Sequence, residues 1–129
     1  MKRPILISAA LLGMTAVILG AFGAHGLKEL LSPEQLSSFE TGVRYQMYHA
    51  LVLLGITALF SEKLKIVKIM YGCFLAGTLL FSGSIYVLSC RDLLGGLNVR
   101  WLGPVTPLGG VLLIVGWACM LVAACREKR

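Results

Sequence analysis

The chain has 129 residues, of which 57% are hydrophobic and only 14% are charged, and its mean hydropathy is +0.84. A soluble domain of this length needs a polar shell that this composition does not supply, so residues 1–129 are predicted to form one integral membrane domain. The net charge of +6 lies in short basic clusters between apolar runs, a pattern typical of membrane orientation that argues against nucleic-acid binding.

Four apolar segments are long enough to cross a bilayer as helices, which takes about 20 residues. The first span, at about 5–24, follows Lys2 and Arg3, and its apolar run is longer than that of a secretory signal peptide, so we expect it to be retained. Spans two, three and four are predicted at about 42–60, 69–88 and 106–124. The predicted fold class is therefore all-α, a four-helix transmembrane bundle.

A short amphipathic helix is predicted at about 33–41, between spans one and two. Ser32 and Gln35 have the spacing of a capping box, in which each side chain bonds to the other's backbone. Apolar residues then recur at helical spacing, which is typical of a helix lying at the membrane interface. Glu40 and Arg44 are four residues apart with the acid first, so we expect them to form an ion pair.

The distribution of basic residues predicts an orientation. If the chain crosses four times, both termini and the second loop share a side, and this side carries eight basic residues: Lys2, Arg3, Lys63, Lys65, Lys68, Arg126, Lys128 and Arg129. The opposite side carries four: Lys28, Arg44, Arg91 and Arg100. Because cytoplasmic segments are enriched in Lys and Arg, both termini are predicted to be cytoplasmic.

Polar side chains gather where the four spans approach the outer face, while the other halves of the spans are predicted to be apolar. We call this set the polar cap: His25 at the end of span one, Arg44, Tyr45, Gln46 and His49 in span two, Ser82, Ser84 and Tyr86 in span three, and Thr106 at the start of span four. Polar groups at membrane depth are costly unless they have a partner, so the polar cap is the candidate functional site.

Two interpretations of the polar cap stay open. In the first, its side chains bond to one another and set the register of the helices, which makes the protein a non-enzymatic structural or assembly factor. In the second, it is a shallow outward pocket for a lipid headgroup or small amphiphile, which makes the protein a lipid-binding carrier. Arg44 would then meet the phosphate, and His25 and His49 would bond to it.

The sequence contains no complete catalytic or cofactor-binding motif. The four cysteines have no metal-type spacing, a zinc site would need a third ligand, and two histidines without a second motif are weak evidence for haem. Proton-coupled export would need a carboxylate inside a span. Ser82 or Ser84 beside His49 lacks an orienting third group. We therefore predict no catalytic residues, metal, cofactor or disulfide.

Small residues recur four apart in span one, at Ala9 and Gly13 and again at Ala16, Gly20 and Ala24. This spacing lets helix backbones approach closely. We expect it to form a packing face inside the bundle, with a homo-oligomer or a partner membrane protein as the alternative use. Membrane lipids are the other expected partners.

Four motifs together resemble one known family. They are GAFGAH at 20–25, YQxxH at 45–49, FSGSxY at 81–86 and TPxGG at 106–110. In this order they are similar to the small inner-membrane proteins known as the domain of unknown function 423 family. The resemblance covers nearly the whole chain. It implies a multi-pass protein of a bacterial inner membrane and implies no activity, since the family has no agreed one. The motifs coincide with the polar cap and leave both interpretations open.

Overall fold

In the computed structural model, which describes residues 1–96 and 98–127, the chain forms four long α-helices and one 3-10 turn. The helices are α1 (Lys2–His25), α2 (Pro33–Leu59), α3 (Lys65–Ser89) and α4 (Val105–Arg126), and the 3-10 turn is Arg100–Leu102. These described residues contain no β-strand. The predictions of an all-α chain and of four long helices are confirmed. Lys128 and Arg129, which were counted for the orientation, lie outside the described residues.

Within the described ranges, three segments are long and apolar enough to cross a membrane: Lys2–His25, Lys65–Ser89 and Arg100–Arg126. Helix α2 has 27 residues, so its length also suffices. Its polar residues, among them Arg44, Gln46 and His49, lower its hydropathy.

The separate interfacial helix predicted at 33–41 is not confirmed, because these residues form the first turns of α2 without a break. Its predicted start is confirmed: Gln35 N donates to Ser32 Oγ at 3.2 Å, and Ser32 N donates to Gln35 Oε1 at 3.0 Å. The helix continues through residue 42 because its inner face stays buried there. Phe39 packs against α1, and Gly42 packs against α3.

Each helix packs mainly against its neighbours in sequence, α1 on α2, α2 on α3 and α3 on α4. The main apolar core is formed by Ile5, Ala9, Leu12, Ala50, Leu53, Ile56, Val67, Met70, Phe74, Leu113 and Ala123. The flanking helices α1 and α4 expose large apolar side chains, such as Val17 and Ile114. In a bilayer such a surface faces lipid tails that are as apolar as the side chains themselves.

Helices α1 and α3 begin at the same end of the bundle. The backbone nitrogen of Lys2 donates to Glu62 Oε2 at 2.7 Å, just before α3 begins. Nearly two turns further along α1 and α3, Ser8 Oγ and Tyr71 Oη are 2.7 Å apart. Helix α2 therefore runs antiparallel to both. We call the end with Lys2, Glu62 and the end of α4 the basic end, and the opposite end the polar end.

Glycines set the close approach of α3 and α4. A Cβ on Gly109 would lie 2.9 Å from the carbonyl oxygen of Gly77 and would also meet the backbone nitrogen of Phe81. A Cβ on Gly116 would lie 2.8 Å from the ring of Phe74. Any larger residue at these positions would separate the two backbones, so the small side chains provide the contact that van der Waals packing needs in a membrane.

Four of the five small residues named in the predicted spacing face α2, whereas the fifth, Ala24, is exposed. Ala9 and Ala16 are buried, and a Cβ on Gly20 would lie 3.4 Å from Val43 of α2. Gly13 lies opposite Ala50 of α2. This face therefore contributes to packing within the chain, as predicted.

Candidate functional site

Most residues of the polar cap lie toward the polar end of the bundle. Gln46 and His49 lie deeper, near its middle, because Gln46 bonds to Leu12 in the centre of α1 and His49 contacts Phe74 and Trp117. His25 ends α1, and Arg44 lies in the first half of α2. The two helices meet there because Gly23 packs against the ring of Phe39, where an added Cβ would lie 3.1 Å from the ring. The end of α1 therefore lies beside the start of α2.

Gln46 is the centre of a hydrogen-bond network that joins three helices. Its side chain is 5% exposed. Its amide nitrogen donates to Thr15 Oγ1 at 2.7 Å and to the carbonyl oxygen of Leu12 at 2.9 Å, and Tyr86 Oη donates to its Oε1 at 2.6 Å. A primary amide has two N–H donors, so both are used. We call Leu12, Thr15, Gln46 and Tyr86 the Gln46 network; it ties α2 to α1 and α3.

His49 is held by two hydrogen bonds and is only 3% exposed. Its Nδ1 lies 2.7 Å from the carbonyl oxygen of Tyr45, and the indole nitrogen of Trp117 donates to its Nε2 at 3.2 Å. A carbonyl only accepts and an indole N–H only donates, so Nδ1 carries the proton and the ring is neutral. We call Tyr45, His49, Phe74 and Trp117 the His49 cluster. The ring centroid of Phe74 lies 5.6 Å from those of both His49 and Trp117, and the ring of Tyr45 stacks on His49 at 6.2 Å.

Two serines of α3 bond to the helices on either side. Ser82 Oγ donates to the carbonyl oxygen of Gly42 at 2.7 Å. Ser84 Oγ donates to the carbonyl oxygen of Phe81 at 3.0 Å and lies 2.6 Å from Thr106 Oγ1. Because Ser84 uses its proton on Phe81, Thr106 is the donor in the second contact. These bonds tie α3 to α2 and to α4.

His25 and Arg44 stand apart from these networks. Both side chains are exposed, and the Arg44 guanidinium donates to Thr41 Oγ1 at 3.1 Å. His49 points into its own cluster. The three residues that the binding interpretation assigned to one phosphate thus lie in different surroundings, whereas Gln46 and Tyr86 lie together.

The predicted ion pair between Glu40 and Arg44 is wrong. Over residues 1–96 and 98–127, the ion pair that forms joins the amino group of Met1 to Glu62 at 3.8 Å. An exposed pair of long side chains gains little in water and loses rotamer freedom, so the bond from Arg44 to the nearby hydroxyl prevails.

Sequence reasoning missed the partners contributed by α1 and α4. Neither Thr15 nor Trp117 was singled out from the sequence, although a hydroxyl or indole N–H in mid-span needs an acceptor, and this requirement could have identified them. The basic end is also less apolar than predicted, because Ser8 and Tyr71 bond there. In the described ranges, the buried polar side-chain atom left without a partner is Thr78 Oγ1.

The chemistry of the site is that of fixed hydrogen bonds. Within the described part of the chain, no three His, Cys, Asp or Glu side chains are grouped to hold a metal. The four cysteines are unbridged there, and burial raises the pKa of the Cys90 thiol, which lies just beyond α3. Both donors of Gln46 and both nitrogens of His49 are engaged by protein atoms.

Comparison with known proteins shows that the sequence of this chain is similar to those of membrane proteins. Residues 19–110 match the model of a family described as "Protein of unknown function (DUF423)". The chain is 42% identical over 129 residues to the UPF0382 inner membrane protein YgdD of Escherichia coli K12, covering 99% of this chain and 94% of that protein. It is 41% identical over 123 residues to the UPF0382 membrane protein YwdK of Bacillus subtilis, covering 94% and 95% of the two chains. A UPF0382 membrane protein of Haemophilus influenzae is 35% identical over 128 residues, with 99% and 98% covered. No solved structure matches.

Proposed function

The chain belongs to the family described as Protein of unknown function (DUF423), and on that premise we propose that it is a non-enzymatic structural or assembly protein of a bacterial inner membrane. Relatives of the chain are named as membrane or inner membrane proteins. The observation that carries the proposal is the side chain of Gln46, which bonds to α1 and α3 with both of its N–H donors and its carbonyl oxygen. A buried polar group satisfied in this way fixes helix register and is not available to a substrate.

The proposed protein crosses the membrane four times. Helices α1 and α3 are parallel, since Lys2 and Glu62 bond at the basic end. If both of these apolar helices cross, α2 between them must return through the bilayer. Its 27 residues span about 40 Å, more than the ~30 Å hydrocarbon core. The polar residues Gln46 and His49 are compatible with this crossing because neighbouring helices supply their hydrogen bonds.

Both termini are proposed to be cytoplasmic. The basic end carries Lys2, Arg3, Lys63, Lys65, Lys68 and Arg126 among the described residues. The polar end carries Lys28, Arg44, Arg91 and Arg100. The larger number of basic residues supports placing the basic end in the cytoplasm. His25, Arg44 and the end of α3 then lie on the outer side, and Gln46 and His49 lie near the middle of the bilayer.

The structural interpretation is favoured over the carrier because of where the side chains lie. A carrier site would need His25, Arg44 and His49 to face one ligand. His49 instead bonds Tyr45 and Trp117, and Arg44 bonds Thr41. The Gln46 network and the His49 cluster are therefore proposed to make the bundle rigid, so that its lipid-facing surfaces can act as a scaffold.

The test compares His49→Ala with the matched variant His25→Ala, which removes an exposed imidazole. Native mass spectrometry from membranes reports bound lipid and subunit number together, and circular dichroism in detergent reports the unfolding temperature. The structural role predicts that His49→Ala lowers the unfolding temperature, whereas His25→Ala does not, and that the folded fraction retains lipid as the wild type does. A His49→Ala protein that unfolds at the wild-type temperature but has lost a retained lipid would contradict the proposal and support the carrier.

A further inference from the structure

A cavity of about 360 Å³ opens at the basic end, between the loop that precedes α3 and the end of α4. Its apolar wall includes Phe60, Leu64 and Ile66, and its rim carries Lys65 and Arg126. Glu127 also lines it. This volume lies within the range of about 300–1,000 Å³ that is usual for sites that bind small ligands. An apolar wall beneath two basic side chains suits an amphiphile with a negative headgroup.

The two cations at this rim have no acidic partner in the described part of the chain. Glu127 lies at the same cavity, but neither Lys65 nor Arg126 forms an ion pair with it. Lys68, one helical turn beyond Lys65 and exposed, adds a further positive charge on α3.

A second cavity at the basic end differs in that its carboxylate is already bonded within the protein. It is lined by Lys2, Lys63 and Glu62, among other residues. There the carboxylate of Glu62 already accepts from the backbone of Lys2 and pairs with the amino group of Met1. In that second cavity the carboxylate is therefore already engaged by the protein. In the first cavity Lys65 and Arg126 form no ion pair with Glu127, so they are open to an external anion.

We propose that the cavity between α3 and α4 binds an anionic phospholipid, with Lys65 and Arg126 contacting its phosphate. Arg presents a fork of N–H donors that matches phosphate oxygens, and Lys adds a point charge. The cavity adjoins the outward apolar surface of α4, where Leu121 and Val122 are exposed. Acyl chains can lie along that surface, which favours a phospholipid over free phosphate. This inference does not rest on the proposed structural role.

The test uses the full-length protein in detergent with equal amounts of phosphatidylglycerol and phosphatidylcholine, and native mass spectrometry measures which lipid stays bound. The variant Lys65→Gln/Arg126→Gln removes the two cations. The control Lys28→Gln/Arg100→Gln removes the same charge at the polar end. All four side chains are exposed, so both variants are expected to fold, which the unfolding temperature checks.

The wild type is expected to retain phosphatidylglycerol in preference to phosphatidylcholine. Each basic residue near a membrane surface contributes roughly fivefold, so Lys65→Gln/Arg126→Gln is expected to lower the preference by about 25-fold. The control, and the charge-retaining variant Lys65→Arg/Arg126→Lys, should keep it. An undiminished preference in Lys65→Gln/Arg126→Gln, or an equal loss in the control, would overturn the site. Displacement of the lipid by excess inorganic phosphate would overturn its assignment to a phospholipid.

Discussion

The indole nitrogen of Trp117 donates to Nε2 of His49 over 3.2 Å, and this bond links α4 to α2, two helices that both pack on α3. It joins two helices that are not consecutive in the sequence, whereas the other main helix contacts are between consecutive helices. It also covers a buried imidazole with a ring whose other edge is exposed, since Trp117 is 47% exposed. The histidine is thereby held neutral inside the bundle without a charged partner.

Replacing Trp117 by Phe tests this bond. The smaller ring keeps an aromatic surface against Phe74 but leaves Nε2 of His49 buried without a donor. We expect a loss of about 1–2 kcal/mol in the free energy of unfolding in detergent, because an unsatisfied buried acceptor costs about that much.

The matched control for this prediction is Trp101→Phe, which makes the same reduction in size at a position that is 69% exposed. It should change stability by less than about 0.5 kcal/mol. Equal effects of the two changes would show that ring size, and not the hydrogen bond to His49, accounts for the loss. In a double-mutant cycle, Trp117→Phe should cost little once His49 is Phe.

Replacing Gln46 by Leu tests the Gln46 network. The change keeps a side chain of similar size and leaves Tyr86 Oη and the carbonyl oxygen of Leu12 without their partner. We expect a loss of about 2 kcal/mol, near the upper end for polar contacts between membrane helices. Thermal unfolding followed by circular dichroism measures it.

Two tyrosine variants provide comparisons for Gln46→Leu. Tyr86→Phe removes one of the bonds to Gln46 and should cost less than Gln46→Leu, at about 1 kcal/mol. Tyr48→Phe removes the hydroxyl of an exposed tyrosine and should be neutral. The account would be wrong if Gln46→Leu were as stable as Tyr48→Phe.

The sequence alone predicted the features that depend on local pattern. The capping box at Ser32 and Gln35 and the four long helices follow from residue spacing, which is the same in any tertiary context. His25 and Arg44 lie at the same end of the bundle because consecutive spans cross a bilayer in opposite directions, so the end of one span lies beside the start of the next. The separate helix predicted at 33–41 is not found, because the buried face of α2 continues through residue 42 and the helix continues with it.

The partners inside the bundle could not be predicted in the same way. Which side chain Gln46 meets depends on the rotation of each helix about its axis, and a lone Thr15 or Trp117 gives no sign of that rotation. The four motifs that resemble a known family end at residue 110, so they do not include Trp117. A rule that every mid-span donor needs an acceptor would have marked Thr15 and Trp117 as members of a network without identifying their partners.

Replacing Gly109 by Ala tests the close crossing of α3 and α4. The new Cβ would meet backbone atoms of Phe81 and Gly77, which cannot move aside as a side chain can. We expect a loss of about 1–3 kcal/mol from overpacking, measured by thermal unfolding.

The control for this crossing is Gly83→Ala in α3, where a Cβ would meet nothing within 4 Å. Because alanine favours the helix over glycine, this change should be neutral or stabilise by up to about 1 kcal/mol. If Gly109→Ala and Gly83→Ala behaved alike, the two helices would not approach as closely as Gly77 and Gly109 indicate.

The thiol of Cys90 should respond to pH in a way that reports its burial. Burial disfavours the thiolate and raises the pKa, so at a given pH less thiolate is present than in an exposed cysteine. In a protein with Cys90 as its single cysteine, alkylation should be slower than in the unfolded chain near pH 8 and should still be rising above pH 9. Superimposable pH profiles for folded and unfolded protein would contradict a partly buried Cys90.

The central claim is that α2 crosses the membrane, and cysteine accessibility tests it most directly. The background is a cysteine-free protein in which Cys73, Cys90, Cys119 and Cys125 are replaced by Ala, carrying either Ser37→Cys near the start of α2 or Lys63→Cys just beyond its end. Both positions are exposed. A membrane-impermeant maleimide is expected to label Ser37→Cys in intact spheroplasts and Lys63→Cys only in inverted vesicles. Labelling of both from the same side would contradict the account.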